Sequence, residues 1–293
     1  MTTAGNLIDR VVQPLLAGTV EERNKLAVSV NASETTLVLT YALGSLREHT
    51  VFEIGSELFY IWEANVTNKT LTVERGYGGT TAAAHTAGDT ITVNPKFPRN
   101  QILTALNSEL ADFSSPMNGL FQMKTVDISY NGSDRMINLA GITDLIDLYE
   151  VRLRYLSDDY PLVHRVRLMR NMPTSDFASG LVLAFDEDVR SGSLRIIYRA
   201  PYTAFSSESS TVTSAGGGTE IEDLLVLGAQ IRMLAGREVK RNFIESQGDT
   251  RRSDEVPAGA MGNSVTNLLR LRRDRIQAEA ARLARLYPLR IRK

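Results

Sequence analysis

The sequence predicts an α+β protein with N-terminal helices, a small β-module, an antiparallel β-sandwich or barrel body, and a C-terminal two-helix arm. Three observations favour this fold class. Apolar residues recur at helical spacing near both ends of the chain, they alternate with a period of two in two central regions, and a Ser-, Thr- and Gly-rich run precedes the last helices. The predicted segments are a helical segment 1–34, the β-module 35–97, a connecting helix 98–116, the body 117–202, a flexible linker 203–219 and the arm 220–293.

The composition is that of a globular protein long enough for two domains. The chain has 293 residues, of which 43% are hydrophobic and 23% are charged, and it contains no cysteine. Disulfides and thiolate metal sites are therefore excluded, and stability has to come from packing or from association with other subunits. No apolar run approaches the ~20 residues of a membrane span, and the start lacks a signal segment. We expect a protein kept in a cytoplasm, with no membrane partner.

The first 97 residues change from helical to strand periodicity. The first helix is predicted from apolar residues at helical spacing, namely Leu7, Ile8, Val11, Val12, Leu15 and Leu16. Thr19 and Glu22 have the spacing of a capping box, so a second short helix is expected after the break near Pro14. From residue 35 to 93, apolar residues alternate, as Phe59 and Ile61 do, which predicts several short strands.

Residues 98–202 are predicted to form a helix followed by the main core. The helix is indicated by Ile102, Leu103, Leu106, Leu110 and Phe113. About six strands follow, which is enough for an antiparallel sandwich or barrel. The strand residues are Val126, Ile128 and Tyr130, then Tyr149, Val151, Leu153 and Tyr155, then Val166 and Leu168, then 181–185, then Leu194, Ile196 and Tyr198. Asn131-Gly132 is a pair typical of two-residue hairpins.

Two helices are predicted after the linker. Thr219 and Glu222 have capping-box spacing, and small residues on the helix that follows would let another helix approach closely. The residues we expect to pack between subunits are Leu224, Leu225, Gly228, Ile231 and Ala235. The last helix is expected to begin near Ser264, with Arg272 intruding into its apolar stripe, and to end at Pro288.

The charge of the chain is unevenly distributed. Residues 264–293 contain nine Lys or Arg and two acids, a net charge of +7, so the rest of the chain carries −8 of the total of −1. An acidic body with a basic arm indicates that the arm meets an acidic surface, such as a protein or a neighbouring copy, or else nucleic acid. The residues we expect to dock on the partner are Arg270, Arg273, Arg282, Arg285, Tyr287, Arg290, Arg292 and Lys293.

No set of residues in the sequence indicates catalysis. The three histidines, His49, His85 and His164, do not have metal-ligand spacing, and no nucleophile elbow is present. We therefore expect no enzymatic activity, no cofactor and no metal. Acids such as Asp186 and Asp188 are interpreted as turn residues.

The most unusual string is RGYGGTTAAAH, residues 75–85. Its glycines suggest a phosphate-binding loop, but the G-K-[ST] ending of such loops is missing. The favoured interpretation is a structural loop in which the glycines permit tight turns after a strand. Its expected structural residues are Arg75, Gly76, Gly79, Thr80 and His85.

Two strings resemble those of virion proteins of tailed bacteriophages. ERGYGGTTAAAHTAGDTI, residues 74–91, is similar to a string in neck, tail and baseplate components. EDLLVLGAQIRMLAGREVKR, residues 222–241, resembles the C-terminal helices of head-to-tail connector (adaptor) proteins. The two strings cover only about 40 residues, and the β-rich bulk departs from small helical adaptors.

The resemblance implies a structural protein of the virion neck. Such a protein assembles in the host cytoplasm as a homo-oligomeric ring of twelve subunits and is clamped to the portal protein by its C-terminal segments. Its other partners would be neck, head-completion or tail proteins, with passive contact to DNA in the channel.

Two alternatives remain open. A tail or baseplate component would share the 75–85 string. A nucleic-acid-binding protein would use the basic arm to neutralise phosphates, but Tyr287 is the only aromatic residue there, so a row of stacking platforms is missing.

Overall fold

The structure, a computed structural model, describes residues 1–17, 19–154, 160–245 and 260–288, without the side chains of 236–264. These residues form four α-helices and twelve strands, and this mixed α+β fold is of the class that the sequence predicts. They divide into two compact units. Unit 1 comprises residues 1–109, 205–213 and 221–272, and unit 2 comprises residues 110–204, 214–220 and 273–293.

Unit 1 is built on a six-stranded antiparallel sheet. Its strands are β1 (Arg23–Lys25), β2 (Thr36–Val38), β3 (Val51–Ile54), β4 (Glu57–Asn65), β5 (Thr70–Glu74) and β6 (Thr90–Val93). They lie in the order β1-β6-β3-β4-β5-β2. The buried face is aliphatic and aromatic, and Phe52 and Phe59 stack at its centre with ring centroids 4.8 Å apart.

Helix α1 (Ala4–Leu15) belongs to unit 1 and matches the predicted first helix. Thr3 caps it by accepting the Asn6 N–H at 3.2 Å, and Leu7, Ile8 and Val11 are completely buried. The predicted second helix is wrong. Residues 19–22 are not helical, because the Glu22 carboxylate bonds to Ser45 instead of its own backbone, and the chain continues directly into β1.

Unit 2 contains two three-stranded antiparallel sheets. Its strands are β7 (Gln122–Tyr130), β8 (Met136–Asn138), β9 (Asp147–Arg154), β10 (Val166–Met169), β11 (Val182–Phe185) and β12 (Gly192–Ala200). One sheet has the order β10-β11-β8 and the other β7-β12-β9. Their buried residues form one core, which confirms the six-stranded antiparallel body. Tyr155, predicted at the end of β9, lies outside the described residues.

Two features of unit 2 differ from the sequence prediction. Asn131-Gly132 does not close a hairpin, because β7 pairs with β12 and the next strand, β8, pairs with β11. The Asn131 side chain instead accepts the N–H groups of Ser133 and Asp134, which makes a local turn. β8 is only three residues long and was not predicted.

The segment 203–219 is not the flexible linker predicted from its composition. In unit 1, the Ala4 N–H donates to Ser210 O at 2.8 Å and the Val212 N–H to Thr2 O at 3.0 Å. In unit 2, the Thr203 N–H donates to Ala215 O at 2.9 Å. Three apolar residues anchor the segment, since Phe205, Val212 and Ala215 are at most 3% exposed.

The three remaining helices are α2 (Arg99–Phe113), α3 (Thr219–Glu245) and α4 (Ala260–Leu286). In α2 the predicted apolar stripe is buried, with Ile102, Leu106 and Phe113 completely inaccessible. α3 begins at the predicted Thr219. α4 begins at Ala260, four residues before the predicted start, and ends just before Tyr287 and Pro288.

Candidate functional site

The arginines of α4 that the structure describes fall into a bound set and an exposed set. In unit 1, Arg272 donates from Nε and Nη2 to Oε2 of Glu109, at 2.9 and 2.6 Å. Glu109 is 2% exposed, and Arg232 of α3 also donates to it. The backbone at Gly228 lies so close to this carboxylate that a Cβ at that position would collide with it. The intrusion of Arg272 into the apolar stripe is thus explained by a buried ion pair.

Arg282 belongs to the bound set as well. In unit 2 its Nη2 donates to Glu279 at 2.7 Å and to Glu220 at 2.8 Å. The hydrogen bonds that Arg282 donates to the Glu279 carboxylate raise the pKa of its guanidinium, so it stays charged. Arg282 was predicted to dock on a partner, but in this structure it ties α4 to the start of α3.

Tyr287 is also engaged within unit 2. Its ring meets the rings of Phe121 and Tyr149 edge-on, with centroids 6.2 and 5.8 Å away, and its carbonyl accepts from Arg199 at 3.0 Å. Arg199 in turn lies 4.4 Å over the Phe121 ring. Tyr287 therefore anchors the end of α4 within unit 2.

The exposed set comprises Arg270, Arg273 and Arg285; Arg275 is exposed as well, but it interacts with other residues of the chain. Among the residues that the structure describes, no carboxylate forms an ion pair with any of the three. Leucines beside them on α4 are also exposed: Leu269 by 47%, Leu271 by 46% and Leu286 by 55%. Arg290, Arg292 and Lys293 lie outside the described residues.

The α3 residues that were predicted to pack between subunits are mostly covered by the chain itself. Leu224, Leu225 and Ile231 are at most 6% exposed, and Gly228 is buried against Glu109, whereas Ala235 is exposed. In this structure the chain itself buries most of the apolar face of α3.

The 75–85 string surrounds Glu57, a residue that the sequence prediction missed. Glu57 is 1% exposed and bonds to Arg75 through both oxygens, at 2.8 and 2.9 Å. It also accepts the ring N–H of His85 at 2.8 Å and the backbone N–H groups of Gly76 and Ala83 at 3.1 and 3.0 Å. Burial alone would raise the pKa of Glu57, but the hydrogen bonds from Arg75 and His85 outweigh burial and lower it to about 2.

The geometry of this string agrees with its interpretation as a structural loop. Gly76, Gly78 and Gly79 all have positive φ, and a Cβ on Gly76 would lie 2.8 Å from Thr80 O. Thr80 accepts the Leu58 N–H at 3.1 Å through its hydroxyl oxygen, which holds the loop to β4. The backbone N–H groups of Gly76 and Ala83 already bond to Glu57, so they do not form an anion cradle.

A second feature missed by the sequence prediction is a groove of about 1050 Å³ in unit 1. α1 supplies Val12 and Leu16, the following loop supplies Val20, and the sheet supplies Ile54. Acidic residues line the same groove: Asp9, Glu21, Glu53, Asp89 and Glu208. Two of them share one arginine, Arg99, which bonds to Asp9 at 2.7 Å and to Glu208 at 2.7 Å.

Glu53 is the most buried acid of the groove. It is 6% exposed, and it accepts the Arg99 backbone N–H at 3.0 Å. Burial raises the pKa of Glu53 to about 7, since this single donor does not compensate for lost hydration. The groove lining also includes Arg23, so five acids face two arginines.

Comparisons with known proteins do not assign the chain to a family. No family model matches it, and a search of curated proteins finds no significantly similar sequence. Within the described residues, no helix has the length and hydropathy needed to cross a bilayer. The same residues contain no cluster of three or more His, Asp or Glu suited to a metal ion.

Proposed function

We propose that this protein is a structural virion protein of a tailed bacteriophage, a subunit of the head-to-tail connector ring. In this role it docks on the portal protein through its C-terminal helices and links the capsid to the tail. It acts without a cofactor and has no enzymatic activity. Its other contacts are neighbouring copies in the ring and further neck or tail proteins.

The observation that carries the proposal is the division of the α4 arginines. Arg272 and Arg282 hold the helix to its own chain, whereas Arg270, Arg273 and Arg285 remain exposed beside exposed leucines. Arginine next to apolar area is the composition that protein interfaces favour, and its planar fork suits carboxylates of a partner. The exposed set is thus available for docking without any change in the fold.

The resemblance of two sequence strings to phage neck and tail proteins supports the same proposal. A tail or baseplate component is the nearest alternative, since the 75–85 string is shared with such proteins. The structural role of that string around Glu57 is compatible with both, so the position in the particle has to be tested by binding.

The test is assembly of the purified protein with and without the phage's portal, followed by mass measurement and particle imaging. We expect rings seated on the portal. The variant Arg270→Ala/Arg273→Ala/Arg285→Ala should lose binding at least tenfold, because arginine is among the residues enriched at binding hot spots, where one truncation costs about 2 kcal/mol or more. The control removes three exposed arginines elsewhere, as Arg47→Ala/Arg135→Ala/Arg167→Ala; two of them form surface ion pairs, and the variant should bind as the parent does.

Three outcomes would count against the connector role. A protein that stays monomeric and ignores portal rings would contradict it. Binding to tail or baseplate proteins in place of the portal would favour the alternative position. Salt-dependent DNA retention that disappears in the α4 variant, with no portal binding, would favour a nucleic-acid role.

A further inference from the structure

We infer that the acidic groove along α1 receives residues 289–293, the basic tail, of a second copy of this chain. This inference rests on the proposed ring and identifies the surface on each subunit that the neighbouring arm would meet. It concerns only unit 1 as the receptor, since all groove residues belong to that unit.

The first argument is the complementarity of charge. Five acids line the groove against two arginines, and Arg99 is already bonded to Asp9 and Glu208. The tail LRIRK carries three basic residues and no acid. Arg290 and Arg292 can each pair with a carboxylate through two hydrogen bonds, whereas a phosphate backbone would be repelled by this lining.

The second argument is the pattern of apolar residues. Leu289 and Ile291 alternate with Arg290 and Arg292, so an extended tail has one apolar and one basic side. The groove has both kinds of wall. Val12, Leu16 and Val20 supply apolar surface, and Val20 is 98% exposed. Docking of the tail would cover this surface.

The third argument is the state of Glu53. It is more than nine-tenths buried, it faces the groove, and the described residues give it one donor, the Arg99 N–H. A carboxylate can accept about four hydrogen bonds, so Glu53 has capacity for an arriving guanidinium. Such a partner would also favour the ionised form, whose burial is otherwise costly.

The size of the groove favours a peptide over a small molecule. Its volume of about 1050 Å³ lies at the upper limit of the roughly 300–1,000 Å³ found for small-molecule pockets. The groove is therefore best suited to a short segment of polypeptide.

The test uses two full-length variants that complement each other. Variant T removes the tail charges, as Arg290→Gln/Arg292→Gln/Lys293→Gln, and keeps the groove. Variant G neutralises the groove, as Glu21→Gln/Glu53→Gln, and keeps the tail. If docking occurs between copies, neither variant associates alone through this contact, but an equimolar mixture forms 1:1 pairs that mass photometry detects. A mixture that stays monomeric would overturn the inference.

A peptide experiment isolates the contact from ring formation. Labelled peptide of sequence YPLRIRK should bind variant T, and a scrambled peptide of the same composition should bind at least tenfold more weakly. Adding Glu21→Gln/Glu53→Gln to variant T should weaken binding at least tenfold, whereas the matched change Glu48→Gln/Glu63→Gln outside the groove should have less than a twofold effect. Equal binding to the two double variants would overturn the inference.

The two tests separate this inference from the proposed function. Pairing of T with G in the absence of portal supports the groove even if no portal ring is bound. Portal binding by variant G at the level of the parent, combined with failure of T and G to pair, would support the connector role and overturn the groove.

Discussion

Glu57 and Glu53 lie on either side of the two-residue turn between β3 and β4, and their surroundings are opposite. Glu57 accepts hydrogen bonds from the side chains of Arg75 and His85 and from two backbone N–H groups. Glu53 accepts one backbone N–H and faces a groove lined by further acids. One carboxylate is fully compensated and holds a loop in place. Glu53 lies in a groove with a surplus of negative charge, which a basic partner can pair with.

The pKa values of the two carboxyls are shifted in opposite directions. The pKa of Glu57 is lowered to about 2, and that of Glu53 is raised to about 7. Glu57 therefore contributes stability that is present above its unfolded pKa of about 4.5 and is lost as the pH falls through 2. Glu53 has the opposite effect. Its contribution to stability is fully present below about pH 4.5 and is lost as the pH rises through 7.

The largest expected effect is the removal of Glu57. Glu57→Ala leaves Arg75 buried without its carboxylate, and we expect a loss of about 3–5 kcal/mol in the free energy of unfolding. Urea denaturation of the purified variant measures it. The control is Glu63→Ala, an exposed glutamate on the same strand, with an expected change within about 0.5 kcal/mol. Similar losses in both variants would show that the network around Glu57 does not stabilise the loop.

A smaller effect is expected for Glu53, and it depends on pH. Glu53→Gln keeps an acceptor for the Arg99 N–H and removes the buried charge, so the variant should be more stable than the parent at pH 8.5, by up to about 3 kcal/mol. At pH 4.5 the two proteins should be equal. Urea denaturation between pH 4.5 and 8.5 checks this. A difference that does not change with pH would contradict the burial of a charge at this position.

The smallest effect is expected within the 75–85 string. Gly76→Ala places a Cβ 2.8 Å from Thr80 O at a positive φ, so a cost of about 2–3 kcal/mol is expected. Gly79→Ala also has a positive φ but no neighbour within 4 Å of the added Cβ, and should cost about 1 kcal/mol. Thermal unfolding of both variants compares them. Equal shifts would mean that contact with Thr80 does not constrain the loop.

Elements with strong local periodicity were predicted correctly from the sequence. α1 and α2 follow from apolar residues at helical spacing, and β7 and β12 follow from strict alternation. Elements that depend on distant pairing were missed. β1 and β8 are three residues long, and each becomes a strand only because it pairs with β6 or β11.

The side-chain contacts of individual residues also depended on distant parts of the chain, so the sequence did not predict them. Thr19 and Glu22 satisfy the spacing of a capping box, but Glu22 bonds to Ser45, 23 residues away. Residues 203–219 have a linker composition, but Phe205, Val212 and Ala215 are buried. The sequence contains one signal for the buried pair of Glu109 and Arg272. Glu109 lies in the apolar stripe of α2, and Arg272 lies in the apolar stripe of α4. The pairing itself required the fold.

The sequence by itself determined the α+β class, the presence of the C-terminal helices α3 and α4, and the excess of positive charge near the end of the chain. Only the tertiary structure decided which arginines are bound within the chain and which are exposed, because each pairing joins residues far apart in sequence. It also produced the acidic groove, since Asp9, Glu53 and Glu208 come together only when α1 and residues 205–213 pack within unit 1. Local periodicity reports which face is apolar, and folding decides which charges remain unpaired.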